Sequence, residues 1–133
     1  GYLELRAYLR KMGEDPERFF RSSYFTYSHD DSLRAVADGL VDGGVIASLT
    51  YDYYQEYAPA MLEQVRIVQV LPGSGMGPVV ARRDLREADA VQEILLHLDR
   101  DPEAKEAMEQ LLIDRFVPPQ PELYPQFSPE EGI

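Results

Sequence analysis

Apolar residues recur at helical spacing near the start of the chain. Residues 3–12 show a loose helical pattern, and Gly13 is typical of a residue that ends a helix. Asp15 followed by Pro16 is typical of an N-cap and a first helical position, so a second, short helix is predicted directly afterwards.

A clearer amphipathic pattern lies further along the chain. Apolar residues occupy positions i, i+3, i+4 and i+7 of one predicted helical face, namely Leu33, Val36, Ala37 and Leu40. We expect Asp30 or Asp31 to cap the start of this helix and Gly39 to end it.

Four short runs of β-branched, aromatic or other apolar residues predict β-strands. They span residues 24–27, 41–47, 65–70 and 79–81. The first two runs flank the amphipathic helix, and a strand, a helix and a strand in so short a stretch form a βαβ unit with parallel strands and a right-handed crossover. The predicted fold class is therefore α/β.

Further helices are predicted in the remaining segments. One spans residues 51–64, is rich in Tyr and is interrupted near Pro59. Two more follow at about residues 86–98 and 102–112, and Asp101 is the expected N-cap of the second of these.

The distribution of Gly and Pro predicts how the chain is divided. Both residue types dominate residues 72–78, which predicts a hinge between the segments 1–71 and 79–133. Pro recurs from residue 118 onwards, which predicts a tail without regular structure.

Composition and charge exclude several classes of function. The chain of 133 residues has 24 acidic and 13 basic side chains, a formal charge of −11, which argues against a nucleic-acid or anionic-membrane surface. The absence of Cys excludes a thiolate nucleophile, a Cys-ligated metal and a disulfide scaffold. With two His in the sequence and no metal-ligand spacing among its acidic residues, we expect neither a metal nor a cofactor.

The turn between the first predicted strand and the amphipathic helix is the strongest candidate site. Ser28, His29 and Ser32 lie there, and helix N-termini at the carboxyl ends of strands present N–H groups to anionic ligands. The residues themselves leave two alternatives open. The polar side chains could merely cap the helix, or Ser28 and His29 could be the nucleophile and base of a hydrolase.

The end of the second predicted strand is a further candidate. Ser48 could donate to a ligand and Tyr51 could form the wall of a pocket, provided that the first two strands are neighbours. Helix capping and aromatic packing are the alternatives at this position.

The order and spacing of several motifs are similar to those of a known family. Tyr-Ser-His-Asp-Asp-Ser at 27–32, Gly-Leu-Val-Asp-Gly at 39–43 and Ile-Asp-Arg-Phe-Val at 113–117, together with residues 1–9 and 15–20, resemble the phosphate/phosphite/phosphonate-binding proteins of ABC importers. The resemblance covers nearly the whole chain.

This resemblance implies a type II periplasmic binding fold, in which two α/β lobes close on an oxyanion. The chain would then comprise the second lobe, the hinge and the C-terminal part of the first lobe, because family members are about twice as long. It implies a non-enzymatic solute-binding component with a small oxyanion ligand, a permease partner and a periplasmic or otherwise extracytoplasmic location, with membrane attachment left open. Ser28 and His29 fall on the ligand-contacting turn of the family.

One departure from the family pattern concerns the ligand. Relatives often carry Asp where this chain has Ala47, and that acid accepts a proton from the ligand or pairs with its amine. The choice among phosphonate, phosphite and phosphate therefore stays open. So does a sensory role, in which ligand binding is passed to a signalling output domain. If most of the first lobe is absent, exposed apolar helix faces in residues 79–133 predict self-association.

Overall fold

A computed structural model describes residues 1–73 and 75–124 of the chain. Ser74, within the predicted hinge, and residues 125–133 of the predicted tail lie outside this description. The described residues form six α-helices: α1 (Tyr2–Lys11), α2 (Pro16–Phe19), α3 (His29–Ala37), α4 (Ser48–Tyr57), α5 (Ala88–Leu96) and α6 (Pro102–Gln110). In the same residues, 3₁₀ turns occupy Pro59–Gln64, Leu98–Arg100 and Pro121–Leu123.

The chain divides into two compact units. One contains Gly1–Pro72 and the other begins at Gly73. The assignment of residues 72–78 as a hinge stays a prediction.

In the first unit, α1 packs against α2. The Arg6 guanidinium pairs with the Glu17 carboxylate and donates a hydrogen bond of 2.8 Å to the Tyr2 hydroxyl. The hydrogen bond to Glu17 is the main cause that raises the pKa of Arg6. The Asp15 carboxylate accepts a hydrogen bond of 3.0 Å from the Glu17 N–H, so Asp15 is the N-cap of α2, as the sequence predicts.

Both α3 and α4 pack against the 3₁₀ turn at Pro59–Gln64. Leu33 and Ala35 of α3 and Tyr54 of α4 are buried. A guanidinium nitrogen of Arg34 donates to the Tyr54 hydroxyl at 3.3 Å, which joins the two helices directly. These contacts hold together the two helices that carry the candidate site residues.

Three helices end in the same hydrogen-bonded arrangement. At the end of α1 the N–H of Gly13 donates to the carbonyl of Arg10, and at the end of α3 that of Gly39 donates to Val36. In each case the next N–H donates to the carbonyl of the residue just before that acceptor, Leu9 in α1 and Ala35 in α3, which completes a Schellman motif. Gly13 and Gly39 have φ of +82° and +69°, values that favour glycine, so both predicted helix ends are confirmed. Leu112 holds the equivalent position after α6 with φ +57°.

The four predicted strands are absent from the described residues, so the α/β class is not confirmed. A strand requires a neighbour whose N–H and C=O groups complete the ladder. The backbones of residues 24–27, 41–47, 65–70 and 79–81 make no ladder with any described segment. In the last two of these segments most β-branched side chains are exposed, among them Val68 and Val80. The predicted βαβ unit is consequently not confirmed by the described residues.

Two predicted helix starts are also corrected. Ser28 caps α3, whereas Asp30 and Asp31 are already helical, because extended backbone at Ser28 brings its hydroxyl to the first turn. The Tyr-rich helix begins at Ser48, three residues earlier than predicted, without any side-chain cap. In the tail, the 3₁₀ turn at Pro121–Leu123 is regular structure that the Pro content did not predict.

In the second unit, α5 and α6 both pack against the 3₁₀ turn at Leu98–Arg100. The Asp101 carboxylate accepts a 2.9 Å hydrogen bond from the Ala104 N–H, so the predicted N-cap of α6 is confirmed. Met108 is the buried hydrophobic residue of this unit within the described segments, while Ile94 and Leu111 are exposed. The self-association expected from such apolar exposure stays a prediction.

Candidate functional site

Ser28 ends an extended segment and starts α3. Its φ and ψ are −148° and 139°, and its hydroxyl oxygen accepts a hydrogen bond of 3.2 Å from the Asp31 N–H. This is the geometry of an N-cap. A hydroxyl that accepts through a lone pair keeps its own proton. Ser28 can therefore cap the helix and donate to a ligand at the same time.

Thr26 belongs to the same turn and was missed by the sequence analysis. Its hydroxyl donates to the Ser28 carbonyl at 2.8 Å and lies 2.7 Å from the Ser32 hydroxyl oxygen. Because a hydroxyl has one proton, Ser32 must be the donor to Thr26. Ser32 consequently braces the turn, and its proton is engaged. The sequence placed Thr26 inside a strand, so nothing there indicated this role.

His29 joins the two candidate turns. Its imidazole Nδ1 accepts a hydrogen bond of 3.3 Å from the N–H of Ala47, eighteen residues away, and its ring is exposed. The contact places the start of α3 beside the start of α4. The two polar segments that the sequence singled out are thus brought together, although by a side-chain contact and not by neighbouring strands.

The start of α4 carries the other two predicted residues. Ala47 is the N-cap, with φ −71° and ψ 143°, and no side chain caps the helix. Ser48 is exposed, and its hydroxyl makes no hydrogen bond to the rest of the described chain. Tyr51 is half-buried and its N–H donates to the Ala47 carbonyl at 3.3 Å. Its role as the wall of a pocket stays a prediction.

Backbone donors and helix dipoles give both helix starts a positive character. In α3 the N–H groups of His29 and Asp30 make no hydrogen bond to the described residues, and in α4 the same holds for Ser48 and Leu49. Unpaired N–H groups at a helix start attract anions. Acidic residues Asp30 and Asp31 oppose this at α3, whereas the first turn of α4 contains no acid. The start of α4 is therefore more favourable for an anion than the start of α3.

The amino-acid sequence matches the model of one protein family. The family model of the phosphonate periplasmic substrate-binding protein of ABC transporters matches residues 1–124. The chain belongs to this family. No curated protein sequence matches the chain.

Membership settles the broad class of function. Proteins of this phosphonate-binding family are periplasmic substrate-binding components of ABC transporters, so the resemblance found in the sequence is confirmed. The members of this family are transport proteins and not enzymes, and they are located outside the cytoplasm. The match gives no support to the signalling alternative.

The geometry also fails to support the hydrolase alternative for this phosphonate-binding protein. Ser28 Oγ is bonded to the Asp31 N–H and His29 Nδ1 to the Ala47 N–H, and the structure contains no hydrogen bond between the two side chains. A nucleophile and its base need that contact. Within residues 1–73 and 75–124, no group of three or more acidic or His side chains is arranged to hold a metal ion. No helix in the same ranges has the length and apolar character needed to cross a membrane.

Proposed function

We propose that this protein captures a small phosphonate-type oxyanion without covalent chemistry, at the point where the starts of α3 and α4 meet, for delivery to the permease of an ABC importer. The observation that carries the proposal is the hydrogen bond between Ala47 and His29, which brings the two helix starts together. Each start offers backbone N–H groups with no partner among the described residues.

The donors suit an oxyanion. The Ser28 hydroxyl keeps a proton after capping α3, the Ser48 hydroxyl has no partner in the described structure, and the imidazole of His29 is exposed. Hydroxyl, imidazole and backbone N–H groups at helix starts are the donors that bind phosphate-like groups. Thr26 and Ser32 support the proposed site by holding the turn, and we propose no ligand contact for Ser32.

The residue at position 47 favours a ligand without an amine. Ala47 supplies no carboxylate at the position where relatives often carry Asp, and no other acid lies in the first turn of α4. Compared with such relatives, this protein therefore offers no anionic partner to a ligand ammonium group at this position. It also offers no acceptor to a ligand P–OH group. We accordingly propose fully ionised alkylphosphonates or phosphite as ligands, in preference to aminoalkylphosphonates and to phosphate, which keeps a P–OH group at neutral pH.

Isothermal titration of the 133-residue chain with methylphosphonate, phosphate, phosphite and 2-aminoethylphosphonate tests the proposal. A hydrogen bond to a charged group contributes about 1.5–3 kcal/mol, so His29→Ala should weaken methylphosphonate binding about 10- to 150-fold. The matched control is His97→Ala, which removes the other histidine of the sequence, located at the end of α5. Its affinity should equal that of the unmodified chain.

Two results would contradict the proposal. If none of the four oxyanions binds, the protein does not capture this ligand class in its present form. If His29→Ala and His97→Ala reduce affinity equally, the start of α3 is not the binding site.

A further inference from the structure

We infer that the backbone N–H of Ala47 is a positioning group for His29: it fixes the neutral imidazole with its proton on Nε2, so that Nε2–H is the group this side chain presents to an oxyanion. The ligand part of this inference rests on the function proposed above. The proton position does not depend on any ligand and can be measured without one.

The direction of one hydrogen bond carries the inference. An amide N–H only donates, so the 3.3 Å contact from Ala47 requires a lone pair on His29 Nδ1. An imidazolium has protons on both nitrogens and cannot accept this bond, and neither can the tautomer protonated on Nδ1. The remaining form is the neutral ring with its proton on Nε2.

This arrangement matters for anion binding. The other tautomer would turn the Nε2 lone pair towards an oxyanion and repel it. By holding Nδ1 as an acceptor, Ala47 selects the ring form whose outward nitrogen donates, in the same way that hydrogen-bonding partners orient histidines that bind metals. The contact also orients the ring, which is otherwise exposed.

The second histidine has the opposite requirement. His97 Nδ1 lies 2.8 Å from the Glu93 carbonyl oxygen, which only accepts, so His97 must carry a proton on Nδ1. The two histidines of the sequence are therefore expected to differ in proton position within one sample. His97 is an internal reference for the measurement.

Ala47→Pro removes the critical donor with little other change. Proline has no N–H and fixes φ near −65°, close to the φ of −71° observed at Ala47. The Ala47 carbonyl, which accepts from the N–H groups of Thr50 and Tyr51, is kept. The matched control is Ala47→Gly, which retains the N–H and also lacks a side-chain cap.

Long-range ¹H–¹⁵N spectra of the imidazoles at pH 8, recorded on the ¹⁵N-labelled full chain without ligand, provide the test. We expect the unmodified chain and Ala47→Gly to show His29 protonated on Nε2 alone and His97 on Nδ1. In Ala47→Pro a second His29 tautomer should become measurable, while His97 stays unchanged. Methylphosphonate affinity should fall about three- to tenfold in Ala47→Pro relative to Ala47→Gly, the effect of one hydrogen bond.

A proton on His29 Nδ1 in the unmodified chain would overturn the inference, whether or not the proline variant folds. An unchanged His29 spectrum in a folded Ala47→Pro protein would overturn it as well. If the tautomers behave as expected but methylphosphonate binds to no variant, the positioning stands and the proposed ligand class fails.

Discussion

Replacing Ala47 with Asp should stabilise the protein and weaken its binding of simple oxyanions. Ala47 is the N-cap of α4, its backbone is extended as an N-cap requires, and no side chain accepts from the first turn. An Asp at this position could accept from the Leu49 N–H, which has no partner in the described structure. Exchanging Ala for Asp at an N-cap contributes about 1 kcal/mol, and the charge near the helix start adds about 0.5 kcal/mol.

The same carboxylate should compete with the ligand. It would occupy N–H groups proposed to bind the oxyanion and place a negative charge beside it. Like charges in contact cost several kcal/mol, so methylphosphonate affinity should fall at least about tenfold. For 2-aminoethylphosphonate the loss should be smaller, because its ammonium group can pair with the new carboxylate. The preference of the protein should therefore shift towards the amine-bearing ligand.

Urea unfolding followed by circular dichroism measures the first effect, and isothermal titration with the two phosphonates measures the second. Ala47→Asn is the matched control, since Asn caps helices as well as Asp but carries no charge. It should give a similar gain in stability with a smaller loss of affinity. If Asp and Asn reduce methylphosphonate binding equally, charge at the start of α4 does not act on the ligand. Unchanged stability in both variants would show that α4 has no open cap.

Two further predictions concern how the turn before α3 and the end of α3 are held. Thr26→Val should lower the free energy of unfolding by about 1–3 kcal/mol, because it removes both hydroxyl hydrogen bonds. Thr26→Ser keeps the hydroxyl and should lower it less. Equal losses of the two variants in urea unfolding would refute the bonding role of Thr26. Gly39→Ala should lower the free energy of unfolding by about 1 kcal/mol, and Gly43→Ala by less than about 0.5 kcal/mol. An added Cβ would meet open space at both positions, but only Gly39 has a positive φ, which strains any residue other than glycine. Equal thermal stability of these two variants would contradict the argument.

Features that depend on residues close in sequence could be predicted. Asp15 and Asp101 precede Pro at helix starts and both proved to be caps, because capping involves an N–H only two or three residues away. Gly13 and Gly39 end helices for an equally local reason, the positive φ of the Schellman motif. The choice among Ser28, Asp30 and Asp31 as cap of α3 was wrong because all three residue types are good caps, and only the backbone conformation distinguishes them.

Features that depend on distant partners could not be predicted in this way. Residues 65–70 have the composition of a strand, but composition does not specify the neighbour that a ladder needs. The contact between His29 and Ala47 spans eighteen residues and involves a backbone N–H, which no residue type signals. Thr26 was missed for a similar reason, since its two hydrogen bonds reach Ser28 and Ser32 across Tyr27, whose φ is +62°.

The location that we propose for the binding site is compatible with the acidity of the protein, because its charges act over a limited range. A formal charge of −11 repels anions at a distance, but exposed charges further than about 8 Å are largely screened at physiological ionic strength. Groups in contact with the ligand therefore decide its binding. At α3 the donors of Ser28 and His29 lie beside Asp30 and Asp31, whereas α4 begins with unpaired N–H groups and no acid. We therefore expect α4 to supply most of the attraction for the anion, and His29 to supply a directed hydrogen bond.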